Sequence, residues 1–280
     1  MQMKKEMKKI CLALSVLGLL TSCFTDEHEF GLPSKDGESK GTLVLNLNAN
    51  AEFSSTTRAV NESSYRNTAN YEVKVINTAN DNVVLQCKGS EFESNLPKTL
   101  DIGSYRVEAS YGTESSASRN EFKMYGESTV TIKAKDEKSV IVNCAPTCGK
   151  VSVSFDAAMA NYYDDYNVIF SGTKALGSNS IAWAKADVDP WYLALEEKAE
   201  TLTYVISLKA KDEYLHQTGD AAESTGTATG TFQLERNKAY KLTIKPNYTP
   251  STNGGLKLGI TIDESTNDHE ITYEVPVSWI

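Results

Sequence analysis

The sequence predicts an all-β chain: two β-sandwich domains of Greek-key type behind a short apolar leader. Three observations predict it. Short stretches alternate apolar and polar residues, as at 43–47, where Leu43, Leu45 and Leu47 share one face. Polar clusters rich in Asn, Asp, Ser and Lys separate these stretches at turn-like intervals. Beyond residue 22 no apolar pattern of helical spacing runs longer than a turn or two.

The leader comes first. Lys4, Lys5, Lys8 and Lys9 precede an apolar run over 10–20, and small residues then lead to Cys23. That order is a secretory signal, and the run is too short to span a bilayer as a helix. The ending Leu20-Thr21-Ser22-Cys23 resembles the lipobox of bacterial lipoproteins, which implies removal of residues 1–22 and acylation of Cys23. Several acyl chains hold a protein firmly, since each buried methylene contributes roughly 0.8 kcal/mol. Residues 23–40 are then a flexible acidic tether, with Asp26, Glu27, Glu29, Pro33 and Gly37 offering little to bury. A coil of this length reaches roughly 20–25 Å. The stretch Thr25-Asp26-Glu27-His28-Glu29 resembles the surface-export signal of Bacteroidota lipoproteins, which implies an outer membrane location facing outward.

Residues 41–147 are expected to form the first sandwich. After the strand at 43–47, residues 71–75 alternate cleanly, 79–82 turn, and 83–85 return. A turn at 100–104 feeds the next strand, through 109. Residues 129–134 and 139–144 read as a hairpin around Lys135-Asp136-Glu137-Lys138. Residues 148–280 restart the alternation at 151–155 and continue at 166–170, 202–210, 227–234, 240–245 and 256–262. Residues 189–195 could begin one or two helical turns. In the last ten residues Ile271, Tyr273, Val275, Val277 and Trp279 face one way, and Pro276 suits an edge or a bulge because it cannot donate to a ladder.

Composition removes several function classes. The chain carries 28 Lys and Arg against 37 Asp and Glu, a formal charge of −9, and loss of the leader takes the mature chain to about −12. Such an acidic surface without a basic run argues against nucleic-acid binding. Three histidines, His28, His216 and His269, leave little for a metal or a hydrolytic triad, and neither His216 nor His269 sits in a catalytic motif. Residues 226–230 have glycines but neither the lysine nor the strand-to-helix setting of a phosphate loop. The expectation is no enzyme, no metal and no cofactor. With Cys23 acylated, Cys87, Cys144 and Cys148 remain in the body. They are either buried and unpaired, or Cys144 and Cys148 bridge if the chain folds tightly at Pro146.

One surface candidate stands out. Tyr162, Tyr163 and Tyr166, with Trp183, Trp191 and Tyr192, could form an aromatic ligand face for a sugar or a protein. The plain alternative is that these rings are core.

The lipobox at Cys23, the strand at 43–47 and Ser55-Thr56-Thr57-Arg58-Ala59 before the next strands resemble the fimbrillin-like lipoproteins of Bacteroidota. The stretch 41–170 also resembles a functionally unassigned group of cell-adhesion lipoproteins from these bacteria. The resemblance implies transthyretin-like sandwiches and a fimbrial subunit or anchor. It also implies a trypsin-like cut between Arg58 and Ala59, after which the lipid and first strand leave together. A strand from another subunit then fills the groove, and residues 271–280 have the pattern of a donor. The alternative function is a monomeric surface lipoprotein that binds glycans through the aromatic cluster.

Overall fold

The computed structural model describes residues 39–51, 60–93, 97–212, 225–247, 257–264 and 267–274. Its first half contains β1 (Lys40–Ala49), β2 (Glu72–Asn77), β3 (Val83–Lys88), the short helix α1 (Gly89–Glu93), β4 (Lys98–Asp101), β5 (Gly103–Gly112), β6 (Ala117–Ser118), β7 (Lys123–Ile132) and β8 (Glu137–Pro146). All but β6 join one seven-stranded sheet in the order β3-β2-β5-β7-β8-β1-β4. Alternation explains why: β5 buries Tyr105, Val107 and Ala109 and leaves the residues between them more exposed. Leu43 and Leu45 of β1 and Val140 and Val142 of β8 share one core with Val73 and Val75 of β2 and Val107 of β5. The sheet therefore folds over its own apolar face.

Strands β7 and β8 are the hinge of that fold. They pair through Met124 with Pro146 and Tyr125 with Ala145. From Glu137 to Cys144, β8 instead runs parallel to β1. The expected hairpin at 129–144 is thus a corner, with Lys135 at φ +59° in its turn, and β8 carries the chain from one half of the sheet to the other.

The second half contains β9 (Cys148–Phe155), the one-turn helix α2 (Met159–Tyr162), β10 (Tyr163–Ser171), β11 (Ile181–Ala184), β12 (Trp191–Ala194), β13 (Ala199–Ala210), β14 (Thr225–Glu235), β15 (Ala239–Asn247), β16 (Lys257–Glu264) and β17 (Asn267–Glu274). They make a four-stranded sheet, β11-β10-β13-β14, and a six-stranded sheet, β17-β16-β15-β9-β12-β6. Val151 and Val153 from one sheet and Val168, Phe170, Tyr204 and Ile206 from the other fill a second core. The chain is all-β, as its alternation predicts.

One further local expectation is corrected. Residues 189–195 do not begin a helix; β12 pairs with β9 and with β6. Tyr192 enters the first core and Leu193 the second. Successive side chains pointing to opposite sides is strand geometry, and no helical turn sends neighbours that way. The stretch around His269 is part of β17, in antiparallel register with β16. The last residues of the expected terminal strand, 275–280, lie outside the described residues.

Candidate functional site

β1 is the element that the sequence singles out, and its surroundings are particular. It lies between β8, which is parallel to it from Thr42 to Ala49, and β4, antiparallel from Lys40 to Leu43. It is an interior strand of the sheet although it is the first described strand of the chain. Leu43 is 0% exposed and Leu45 8%, while Leu47 is half-buried against the same core. Burying each of the two inner leucines contributes about 1.5–3 kcal/mol. The solvent face adds cross-strand hydrogen bonds: Asn46 Nδ2 donates to Ser139 Oγ at 3.0 Å and Asn48 Nδ2 to Asn143 Oδ1 at 3.0 Å. No charged side chain occurs from Gly41 to Asn50.

Both ends of β1 are fitted closely. Thr42 N–H donates to the Asp136 carbonyl at 2.7 Å, Ile102 N–H to Ser39 at 2.8 Å, and Asn50 N–H to Cys144 at 2.9 Å. A side chain at Gly41 would meet the Lys133 carbonyl 2.4 Å from its Cβ, so only glycine lets the strand enter there.

The chain is pinned again on either side of residues 52–59. Ala51 is 2% exposed and its carbonyl accepts from Arg66 at 3.3 Å. Val60 is 5% exposed. Beyond it, Glu62 opens a 3-10 turn (Glu62–Arg66), and its Oε1 lies 2.6 Å from Lys150 Nζ and accepts from the Tyr192 hydroxyl at 2.7 Å. Arg58 and Ala59 lie in the segment between, outside the described residues, as does Cys23.

The six aromatic residues are not brought to one face. Tyr163 (3% exposed) and Trp183 (1%) lie in the second core, and Tyr192 (1%) lies in the first. Tyr162, Tyr166 and Trp191 are half-buried and pack against the second core. Trp183 and Trp191 instead form a seat for Arg119, whose guanidinium carbon lies 5.0 and 4.4 Å from their ring centres. Arg119 also pairs with Asp187 at 2.6 Å and donates to the Asp189 and Ala182 carbonyls. Sequence reasoning missed Arg119. The signal that could have found it is a lone cation in the acidic stretch between two strands, within reach of paired tryptophans.

The body thiols are free: Cys144 and Cys148 are buried and Cys87 is half-buried. Burial pushes the Cys144 thiol up to about 12 and raises Cys148 and Cys87 as well. A raised thiol is a weaker nucleophile at neutral pH.

Comparison with known proteins adds a frame. The sequence model of the family described as "Domain of unknown function (DUF4493)" matches residues 39–277. No curated protein matches the chain. Solved structures similar to it include a fimbrial assembly protein from Parabacteroides distasonis, 10% identical over 83% of this chain and 98% of that one, at a TM-score of 0.43. The fimbrial anchor protein from Porphyromonas gingivalis is 10% identical over 80% of this chain and 98% of that one, at a TM-score of 0.41.

Proposed function

Since the chain belongs to the DUF4493 family, whose description assigns no activity, we propose its role from the setting of β1: a lipid-anchored surface protein of adhesion, acting as a fimbrial subunit or anchor without catalysis. In this reading Cys23 is acylated and the tether 23–40 leads to an accepting sandwich at 41–147, followed by a second sandwich at 148–280. Cleavage between Arg58 and Ala59 separates β1 from the body. A strand of another subunit then takes its place between β4 and β8.

One observation carries this reading. β1 is an interior strand that precedes every other described strand, so one cut behind it frees a whole slot rather than an edge. The slot is apolar beneath Leu43 and Leu45 and offers backbone partners on both sides. The buried Glu62–Lys150 pair supports it too, because the chain just behind the cut stays fastened when β1 leaves.

The experiment is limited digestion of the full chain with a trypsin-like protease, followed by N-terminal sequencing and sizing. A new terminus at Ala59 and concentration-dependent polymers are expected, with Leu45→Ala releasing the β1 fragment faster. Resistance at Arg58 while other basic sites are cut, or a cleaved chain that never polymerises, overturns the proposal.

A further inference from the structure

The described sheets have six edge strands, and five are blunted. β4 and β11 have four residues each and β6 has two. β3 pairs across a register shift at Val75 and Ile76. β17 carries Asp268, Glu270 and Glu274. Short length, irregularity and charge are the usual protections of an exposed sheet edge. β14 has none of them: it is eleven residues long, pairs with β13 without a break in register, and from Thr225 to Leu234 has no charged side chain. Among the described residues no strand pairs with its other edge.

The phase of the ladder fixes which backbone groups face outward. Arg236 N–H donates to the Lys198 carbonyl at 2.9 Å, and antiparallel pairs alternate between bonded and non-bonded residues. Even-numbered residues of β14 therefore turn their N–H and C=O toward β13, and odd-numbered residues turn theirs away. Glu235 N–H agrees with this phase, since it leaves the ladder to reach the Tyr240 hydroxyl at 3.3 Å.

We propose that β14 is a self-pairing edge, along which a second copy of this chain adds antiparallel about a two-fold axis at Gly230. Full overlap in this register sets Thr229 opposite Thr231 of the second copy and Thr225 opposite Glu235, so outward-facing groups meet outward-facing groups all along the strand. On the core side small meets large, with Ala228 opposite Phe232 and Gly226 opposite Leu234. No like charges are opposed, although each copy is strongly acidic. At each end Lys209, in register with Thr225, lies in the same row as Glu235 of the second copy, two strand spacings or about 10 Å away. Both sheets then join into one of eight strands. This pairing needs no cut at Arg58 and leaves the β1 slot untouched.

Sedimentation of the uncleaved full-length chain in detergent tests it. A two-copy mass that dilutes to one copy is expected. Thr229→Lys with Thr231→Lys opposes lysine to lysine twice and is expected to weaken self-association at least about tenfold, with an unchanged unfolding midpoint. A mixture of Thr229→Cys chains with Thr231→Cys chains is expected to form a disulfide-linked pair. A native chain that stays single at about 100 μM overturns the proposal. So does a double-lysine variant that associates like the native chain, or a mixed-cysteine sample that forms no linked pair.

Discussion

Lys150 Nζ and Glu62 Oε1 meet 2.6 Å apart inside the protein, with 4% and 9% of their side chains exposed. They join the turn behind β1 to β9, the strand that opens the second half. The Tyr192 hydroxyl donates to the same carboxylate oxygen, so the pair is not left to Coulomb attraction alone. Removing one partner strands the other charge away from water, whereas replacing both removes the desolvation cost together with the attraction.

Lys150→Ala should therefore destabilise the chain by about 3–5 kcal/mol. Glu62→Leu with Lys150→Met should cost clearly less than that single change. Urea unfolding of the three chains measures both. Equal losses would mean that the pair acts by packing alone.

Glu200 sets an acid limit. It is 7% exposed and accepts the backbone N–H groups of Lys174 at 2.6 Å, Glu196 at 2.6 Å and Glu197 at 2.9 Å. Burial by itself would raise this carboxyl, but the three donors outweigh burial and hold it below the ordinary carboxylate range. A lowered folded value means that its stabilisation is present above the ordinary value and is lost as pH falls through the folded one. The native chain should lose stability across that acidic window, and Glu200→Gln should flatten the loss. Thermal unfolding at a series of pH values follows it.

Arg119 fastens the chain after β6 to the tryptophan loop of the second half. Lysine offers one compact charge where the site uses a planar fork stacked on two rings. Arg119→Lys should cost about 1–3 kcal/mol and change the fluorescence of Trp183 and Trp191. An unchanged spectrum and midpoint would show that the seat is held by Asp187 alone.

The strands were legible where one face meets the core and the other meets water. β1, β5 and β13 alternate in sequence because they alternate in burial. β12 was illegible because both of its faces are buried, Tyr192 in one core and Leu193 in the other. Its four residues thus look uniformly apolar. β6 has two residues, and its pairing with Tyr192 and Leu193 comes from a contact far away in sequence. The aromatic cluster was visible as composition but not as position. Three of the six rings are needed inside the cores, and a sequence does not say which side of a short strand faces a second core. That β1 matters was legible, but its parallel pairing with β8 was not, since alternation carries no information about a strand's neighbours.

That pairing has a consequence in time. Asn48 and Asn143 are bonded partners 95 positions apart, and a chain made from its N-terminal end presents β1 long before β8. Pairing across so wide an interval is slow, because loop closure must come before any contact rewards it. The first strand is thus an early arrival that must wait for its neighbour. Once β8 is in place beside it, the berth is open, and the protein's own first strand competes for it with any other strand at hand.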